Sequence, residues 1–285
     1  MKIYDRKSGV YTEEKEYGKK KLEFLYNTLL GRILLKLVFA RKYYSVINGI
    51  FMKSKSSVKK IAPFLEEYSI SLEDCEKTEF ASFDDFFTRK KKRYFSSESE
   101  ERLISPADGR LSVFEINEDL TLKIKNSIYT LEELTGNNAD LSPYKGGICL
   151  VYRLAVEDHH RYVFVDDGVV RDTKIIKGEL HTVRPISEKY RVFSRNHRVC
   201  TIMDTKHFGR MIQIEVGALQ VGKINNHPVK SFRRLDEKGY FSYGGSTIIQ
   251  IFGKDSVEID SDITEKDCEV LVRTGEGIGT KKEVL

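Results

Sequence analysis

The chain has 285 residues, 40% of them apolar and 16 of them Phe, enough to bury a sizeable core in one large domain or in one domain with an appendage. Its formal charge of +5 is unevenly spread: residues 1–60 carry 15 Lys and Arg against 5 Asp and Glu, a net of +10, leaving 33 against 38, a net of −5, for the other 225. A basic front end on a mildly acidic body points to an anionic surface, membrane or nucleic acid, or to a plain solvated helical face.

Residues 1–18 are charged and lack an apolar run, so they do not read as a secretory signal. Residues 22–40 are the most apolar stretch, but Glu23, Asn27, Arg32 and Lys36 interrupt them and exclude a membrane span. On a helical wheel Leu22, Tyr26, Leu29, Leu30, Ile33, Leu37 and Ala40 form one stripe, and Leu34, Leu35, Val38 and Phe39 add apolar surface elsewhere. Such a helix either packs on two sides inside the protein or lies in a membrane interface, flanked by Lys19, Lys20, Lys21, Arg41 and Lys42. Helical patterning runs on to Lys53 and returns over residues 58–68, so the first ninety residues read as helical. Ser82-Phe83-Asp84-Asp85 has the form of a capping box and opens a turn through Phe86-Phe87-Thr88-Arg89-Lys90. Residues 93–102, rich in Ser, Glu and Arg, read as an exposed connection.

After Leu103 the character changes. Apolar, β-branched and aromatic runs recur between turn signals at residues 111–116, 122–124, 148–154, 162–165, 199–203, 211–216 and 247–252. The expected fold class is therefore α+β, a helical N-terminal appendage (1–95) on a mainly antiparallel β catalytic core (96–285). Cys75, Cys149, Cys200 and Cys268 are scattered without a metal-ligand spacing and read as reduced thiols of a cytosolic protein. Residues 213–222 read as strand-turn-strand, with glycines at the wrong spacing for a dinucleotide fingerprint, and no Walker A loop is present. The aromatics of the basic front end follow core spacing, so nucleic acid is unsupported as a partner.

Three places carry chemistry. Ser105-Pro106-Ala107-Asp108-Gly109-Arg110 is a turn, and its Asp108 is also the type of group that orients an imidazole. In Asp158-His159-His160-Arg161-Tyr162 the adjacent histidines point to opposite faces of an extended chain. One imidazole suits a general base and the other a polar cluster, while no acidic or Cys partner at ligand spacing supports a metal. His181, His197, His207 and His227 are isolated and read as structural. In Tyr243-Gly244-Gly245-Ser246-Thr247 a flexible Gly-Gly turn sets a hydroxyl directly after an unshielded peptide carbonyl. That is either an ordinary turn before a strand or an arrangement in which Ser246 attacks its own preceding carbonyl and cuts the backbone.

These motifs, with Glu215-Val216-Gly217-Ala218 and the run from Gly239 to Thr247, occur in one order and together resemble the phosphatidylserine decarboxylase family, in its compact bacterial form. The likeness extends from about Ile3 to the C-terminus. It implies a proenzyme that cleaves itself between Gly245 and Ser246 into a β chain, 1–245, and an α chain, 246–285, which stay together as a heterodimer. Ser246 would become an N-terminal pyruvoyl group, the covalent cofactor, which takes the substrate amine as a Schiff base and acts as electron sink. Asp108 and His160 match the charge-relay Asp and a motif His of the family, so His160 would deprotonate Ser246, with Asp108 fixing its tautomer. His160 is also the expected proton donor when carbon dioxide leaves phosphatidylserine and phosphatidylethanolamine forms. The partners implied are phosphatidylserine in a bilayer and an anionic membrane surface, with a peripheral place on the cytoplasmic face of the cell membrane. Family members carry a second His three residues beyond the first, where this chain has Val163; either His160 performs both imidazole duties or His159 takes one. Two alternatives stand beside this: an inactive membrane-binding relative that does not mature, and a serine hydrolase, against which the lack of a Gly-x-Ser-x-Gly elbow counts.

Overall fold

The computed structural model describes residues 1–14, 18–40, 42–124, 127–136, 140–219, 223–244 and 246–282. Its centre is a ten-stranded sheet. From edge to edge the order is Ser231–Phe232, Gly168–Ile176, Arg198–Thr205, Gly209–Val216, Ser246–Phe252, Ile148–Leu154, Gly109–Glu115, Glu269–Val272, Lys2–Asp5 and Val10–Glu13. Only the Lys2–Asp5 and Glu269–Val272 pair is parallel, so the expected mainly antiparallel core is found.

The central strands are apolar on both faces because both faces are covered. Side chains alternate along Ser246–Phe252: Ile248 and Phe252 join a core of Leu150, Tyr152 and Phe241 on one face, while Ile249 and Ile251 join Val151, Ile212 and Tyr129 on the other. Each of these isoleucines contributes about 1.5–3 kcal/mol on burial. A three-stranded sheet of Ile224–Asn226, Glu237–Phe241 and Arg161–Val163 and another of Val257–Ile259, Gly277–Lys281 and Arg102–Ile104 lie beside the large one.

The helical expectation for the opening residues gives way over Lys2–Asp5 and Val10–Glu13, which are strands of the large sheet. The helix expected over residues 22–40 is broken in two. Lys19–Asn27 ends at Thr28, which is extended and whose hydroxyl accepts from the Gly31 N–H at 2.9 Å, capping Leu29–Leu34; a π-helical turn, Leu35–Phe39, follows. The two pieces pack so closely that a Cβ on Gly31 would lie 2.0 Å from the Phe24 carbonyl oxygen. The stripe divides accordingly: Tyr26 and Ala40 are buried, whereas Leu29, Leu30, Ile33 and Leu37 stand 71%, 60%, 47% and 57% exposed. Arg41 lies outside the described residues. No helix among the described residues is long and apolar enough to cross a membrane.

Candidate active site

Ser246 opens its strand and is fully buried, opposite Leu154 on the neighbouring strand. From Leu154 the chain turns and comes back, so that His160 meets the serine: its Nδ1 lies 3.2 Å from Ser246 Oγ. The other ring nitrogen, Nε2, is 2.9 Å from the Ala155 carbonyl oxygen. A carbonyl only accepts, so Nε2 carries the proton, Nδ1 presents its lone pair, and the Ser246 hydroxyl donates to it. The His160 ring stacks on Phe87 at 4.0 Å. Burial, and after it the Arg89 charge, push the imidazole well below its ordinary range, against the Ala155 hydrogen bond, which acts the other way. The group beside Ser246 is therefore a neutral base.

His159 faces elsewhere. Its Nε2 lies 2.9 Å from the Arg89 carbonyl oxygen, its Nδ1 is buried with no hydrogen-bond partner among the described residues, and its ring meets the edge of Tyr94. Burial first, then the Lys91 charge, depress it as well. Asp108 stands apart from the pair. It accepts from the Thr274 N–H at 2.8 Å, the Thr274 hydroxyl at 2.7 Å and Lys91 Nζ at 3.1 Å. Burial works against its charge, but Lys91, His159 and the Thr274 bonds outweigh it and hold the carboxyl well below the usual range. Both nitrogens of His160 are already engaged, so the tautomer expected to be set by Asp108 is set by the Ala155 carbonyl.

The Phe86–Lys90 motif is the wall of this site. Helix Phe83–Phe87 is capped by Ser82, whose hydroxyl accepts from the Asp85 N–H at 3.1 Å; the Asp85 carboxylate reaches the Ala81 N–H instead of closing a full capping box. Its Asp84 accepts from the Tyr243 N–H at 3.1 Å, and the Tyr243 ring lies edge-on to Phe83 and Phe87. Arg89 donates to the carbonyls of Glu157 and Asp158, and Arg161 Nε donates to that of Thr88 at 2.8 Å. Gly244 has a φ of 128°, in the region that favours glycine. Gly245 lies outside the described residues, as do Gln220, Val221 and Gly222 of the expected strand-turn-strand. Glu215 of the fourth motif is buried against Lys238 Nζ at 2.8 Å, opposite Ile248 on the strand that Ser246 opens. Val163 is fully buried and donates its N–H to the Pro106 carbonyl at 2.9 Å.

A cavity of about 830 Å³ runs up to this point. Leu22, Phe24, Leu34 and Phe39 line it on the side of the N-terminal helices, and Ala155, Tyr243 and Gly244 line its inner end. Lys20, Lys21 and Lys60 also border it. Among the described residues no group of three or more His, Cys, Asp and Glu is placed to hold a metal ion.

Of the three residues expected to act together, His160 and Ser246 meet and Asp108 does not. The Ala155 carbonyl was out of reach of motif reading because a backbone atom leaves no mark on residue identity. Phe87 and Asp158, by contrast, lay inside motifs already singled out. Residues 80–280 match the family described as phosphatidylserine decarboxylase. The chain is 50% identical to phosphatidylserine decarboxylase proenzyme 2 of Clostridium acetobutylicum, with 97% of each chain covered. It is 42% identical to the phosphatidylserine decarboxylase proenzyme of Ruminiclostridium cellulolyticum, over 98% of this chain and 97% of the relative, and 39% identical to that of Clostridium novyi, over 99% of both. The chain belongs to the phosphatidylserine decarboxylase family.

Proposed function

We propose that the chain is a proenzyme that cuts itself between Gly245 and Ser246 and then decarboxylates phosphatidylserine to phosphatidylethanolamine, releasing carbon dioxide. One observation carries this: the buried Ser246 hydroxyl donates to Nδ1 of a neutral His160 whose other nitrogen is committed to a carbonyl. His160 Nδ1 takes the hydroxyl proton, Ser246 Oγ attacks the Gly245 carbonyl carbon, and the peptide bond gives way to an ester as the Ser246 nitrogen leaves with a proton. Loss of the Cα proton then expels the Gly245 carboxylate from the Ser246 Cβ, and water displaces the nitrogen as ammonia. Asp108 acts on this site through space, its charge favouring the imidazolium that forms on His160.

Residue 246 fits a pyruvoyl group: it is fully buried beside His160 and the Phe87 ring that stacks on it, two residues beyond Gly244, which lines the cavity. Once formed, that group supplies a carbonyl able to draw electrons from the carbon that loses carbon dioxide. His160, the only imidazole at Ser246 among the described residues, takes up a proton on Nδ1 and returns it to that carbon, while His159 is tied to Arg89.

The small chain stays in place after the cut. Ser246–Phe252 lies between Gly209–Val216 and Ile148–Leu154, and Glu269–Val272 lies between Gly109–Glu115 and Lys2–Asp5. The helical part of region 1–95 carries the membrane contact, and region 96–285 the chemistry. Leu29, Leu30, Ile33, Leu37, Ile47 and Ile50 are exposed apolar side chains on those helices, with Lys19, Lys20 and Lys21 at one end, a composition suited to the interface of an anionic bilayer. The protein then sits peripherally on the cytoplasmic face of the cell membrane, with the cavity open to lipid. Intact mass of the purified protein tests the core of the proposal: two fragments, the smaller lacking a free amine, support it. An active preparation with an unbroken chain would overturn it.

A further inference from the structure

The residues between Leu154 and His160 form a closed turn. Asp158 N–H donates to the Ala155 carbonyl at 3.1 Å, and in return the Ala155 N–H donates to Asp158 Oδ2 at 2.7 Å. The same carboxylate oxygen takes Arg110 Nη1, and Arg110 Nη2 reaches Glu157 Oε1 at 2.6 Å. The Arg110 and Asp158 side chains are 8% and 10% exposed, so the pair is nearly dry and its removal is felt. Arg89 closes the turn from the other side through the Glu157 and Asp158 carbonyls.

The turn so closed carries the Ala155 carbonyl oxygen that takes the His160 Nε2 proton. In a hydrolytic triad a carboxylate sits on the imidazole itself and selects its tautomer. Here the imidazole meets an uncharged peptide carbonyl, and the carboxylate lies one residue link behind it, on the Ala155 N–H. If that peptide turned, Nε2 would lose its acceptor, the ring proton would be free to move to Nδ1, and Ser246 would face a donor in place of a lone pair.

We infer that Asp158, held by Arg110, is a positioning residue for self-cleavage: its carboxylate on the Ala155 N–H and its own N–H on the Ala155 carbonyl hold the peptide groups on both sides of Ala155, so that His160 keeps its proton on Nε2 and its lone pair toward Ser246. This rests on the self-cleavage proposed above and adds to it the group that selects the tautomer. Asp158→Ala removes the acceptor and should slow self-cleavage by about 10²-fold, the usual scale of a lost proton-transfer arrangement. Asp158→Asn keeps an oxygen facing the Ala155 N–H and should recover most of that rate. Nitrogen-15 NMR of His160 in a Ser246→Ala background, where no cut occurs, reads the tautomer directly. The Ser246→Ala protein should show a protonated Nε2 and a bare Nδ1, and the Ser246→Ala, Asp158→Ala protein a mixture of the two tautomers. A pure Nε2–H tautomer in the double variant, with a thermal transition like that of the single variant, overturns the inference, as does a wild-type cleavage rate in Asp158→Ala. If Asp158→Ala fails to fold, Ser246→Ala, Asp158→Asn carries the spectrum and Asp158→Asn the rate: an Nε2–H tautomer with near-wild-type cleavage supports the inference, and a mixed tautomer with unimpaired cleavage overturns it. A wild-type chain that never cuts itself would defeat the self-cleavage proposal, while the tautomer spectra would still decide this one.

Discussion

Asp108 accepts two hydrogen bonds from Thr274, one from its N–H at 2.8 Å and one from its hydroxyl at 2.7 Å, and so ties the turn at residues 105–109 to the segment that becomes the small chain. The tie is reinforced by the Gly275 N–H on the Ser105 carbonyl and the Ser105 N–H on the Glu276 carbonyl. Asp108→Ala leaves Lys91 without its carboxylate and two Thr274 donors without an acceptor, and should destabilise the protein by about 1–3 kcal/mol. Its effect on self-cleavage should be smaller than that of losing the base, because it acts on His160 through space. Urea unfolding and a cleavage time course on the same sample separate the two effects.

His160→Gln should lower the self-cleavage rate by about 10²-fold or more, since no other imaidazole faces Ser246 among the described residues. His159→Gln should cleave far faster than His160→Gln, its parent ring being bonded to Arg89 and turned from the serine. Gel densitometry of freshly made precursor distinguishes the pair. Equal loss in both variants would contradict the assignment.

The pH response has a definite sign. His160 is held neutral in the folded chain, with its pKa depressed, and ionises near 6.5 when unfolded. Between those two values the unfolded chain binds the extra proton, so the stability linked to this group is complete above about pH 6.5 and is lost as pH falls toward the folded value. Urea midpoints of Ser246→Ala should therefore decline below pH 6.5 more steeply than those of Ser246→Ala, His160→Gln. For the same reason the self-cleavage rate of the wild-type chain should show no inflection at pH 6.5.

Replacing Leu29, Leu30, Ile33 and Leu37 together by Ser removes exposed apolar side chains and should weaken binding to anionic vesicles by at least about tenfold, which takes only about 1.4 kcal/mol of lost apolar burial. Self-cleavage should be unchanged. Vesicle flotation at two salt concentrations measures the loss and its electrostatic part.

Much of the β core is visible in residue order. The strand Ile148–Leu154 stands out because it is buried on both faces and therefore apolar or aromatic at every position but Arg153, which is paired with Glu14 and Glu269. Gly168–Ile176 does not, because it lies near an edge and carries Arg171, Asp172 and Lys174 among its valines and isoleucines. Lys2–Asp5 escapes for a different reason: its partner, Glu269–Val272, is at the far end of the chain, and four residues give no periodicity to read. The break at Thr28 has a local signature, a hydroxyl followed three residues later by Gly31, but the apolar stripe on either side masks it. At the site, the serine and its histidine are legible as residue types in a known order. The carbonyl of Ala155 and the Asp158 to Arg110 contact depend on how a turn closes, which the order of side chains does not record.

The strand that begins at Ser246 lies in the middle of the sheet, with covalent continuity to the larger part of the chain running only through the bond that is cut. Nucleophile and base can meet only after that strand has been zipped between its two neighbours, so maturation certifies a finished fold. It also burns the bridge behind it. Once severed, the central strand must find its slot as a separate molecule, and a denatured mature enzyme should fail to renature at dilutions where the uncut Ser246→Ala chain recovers.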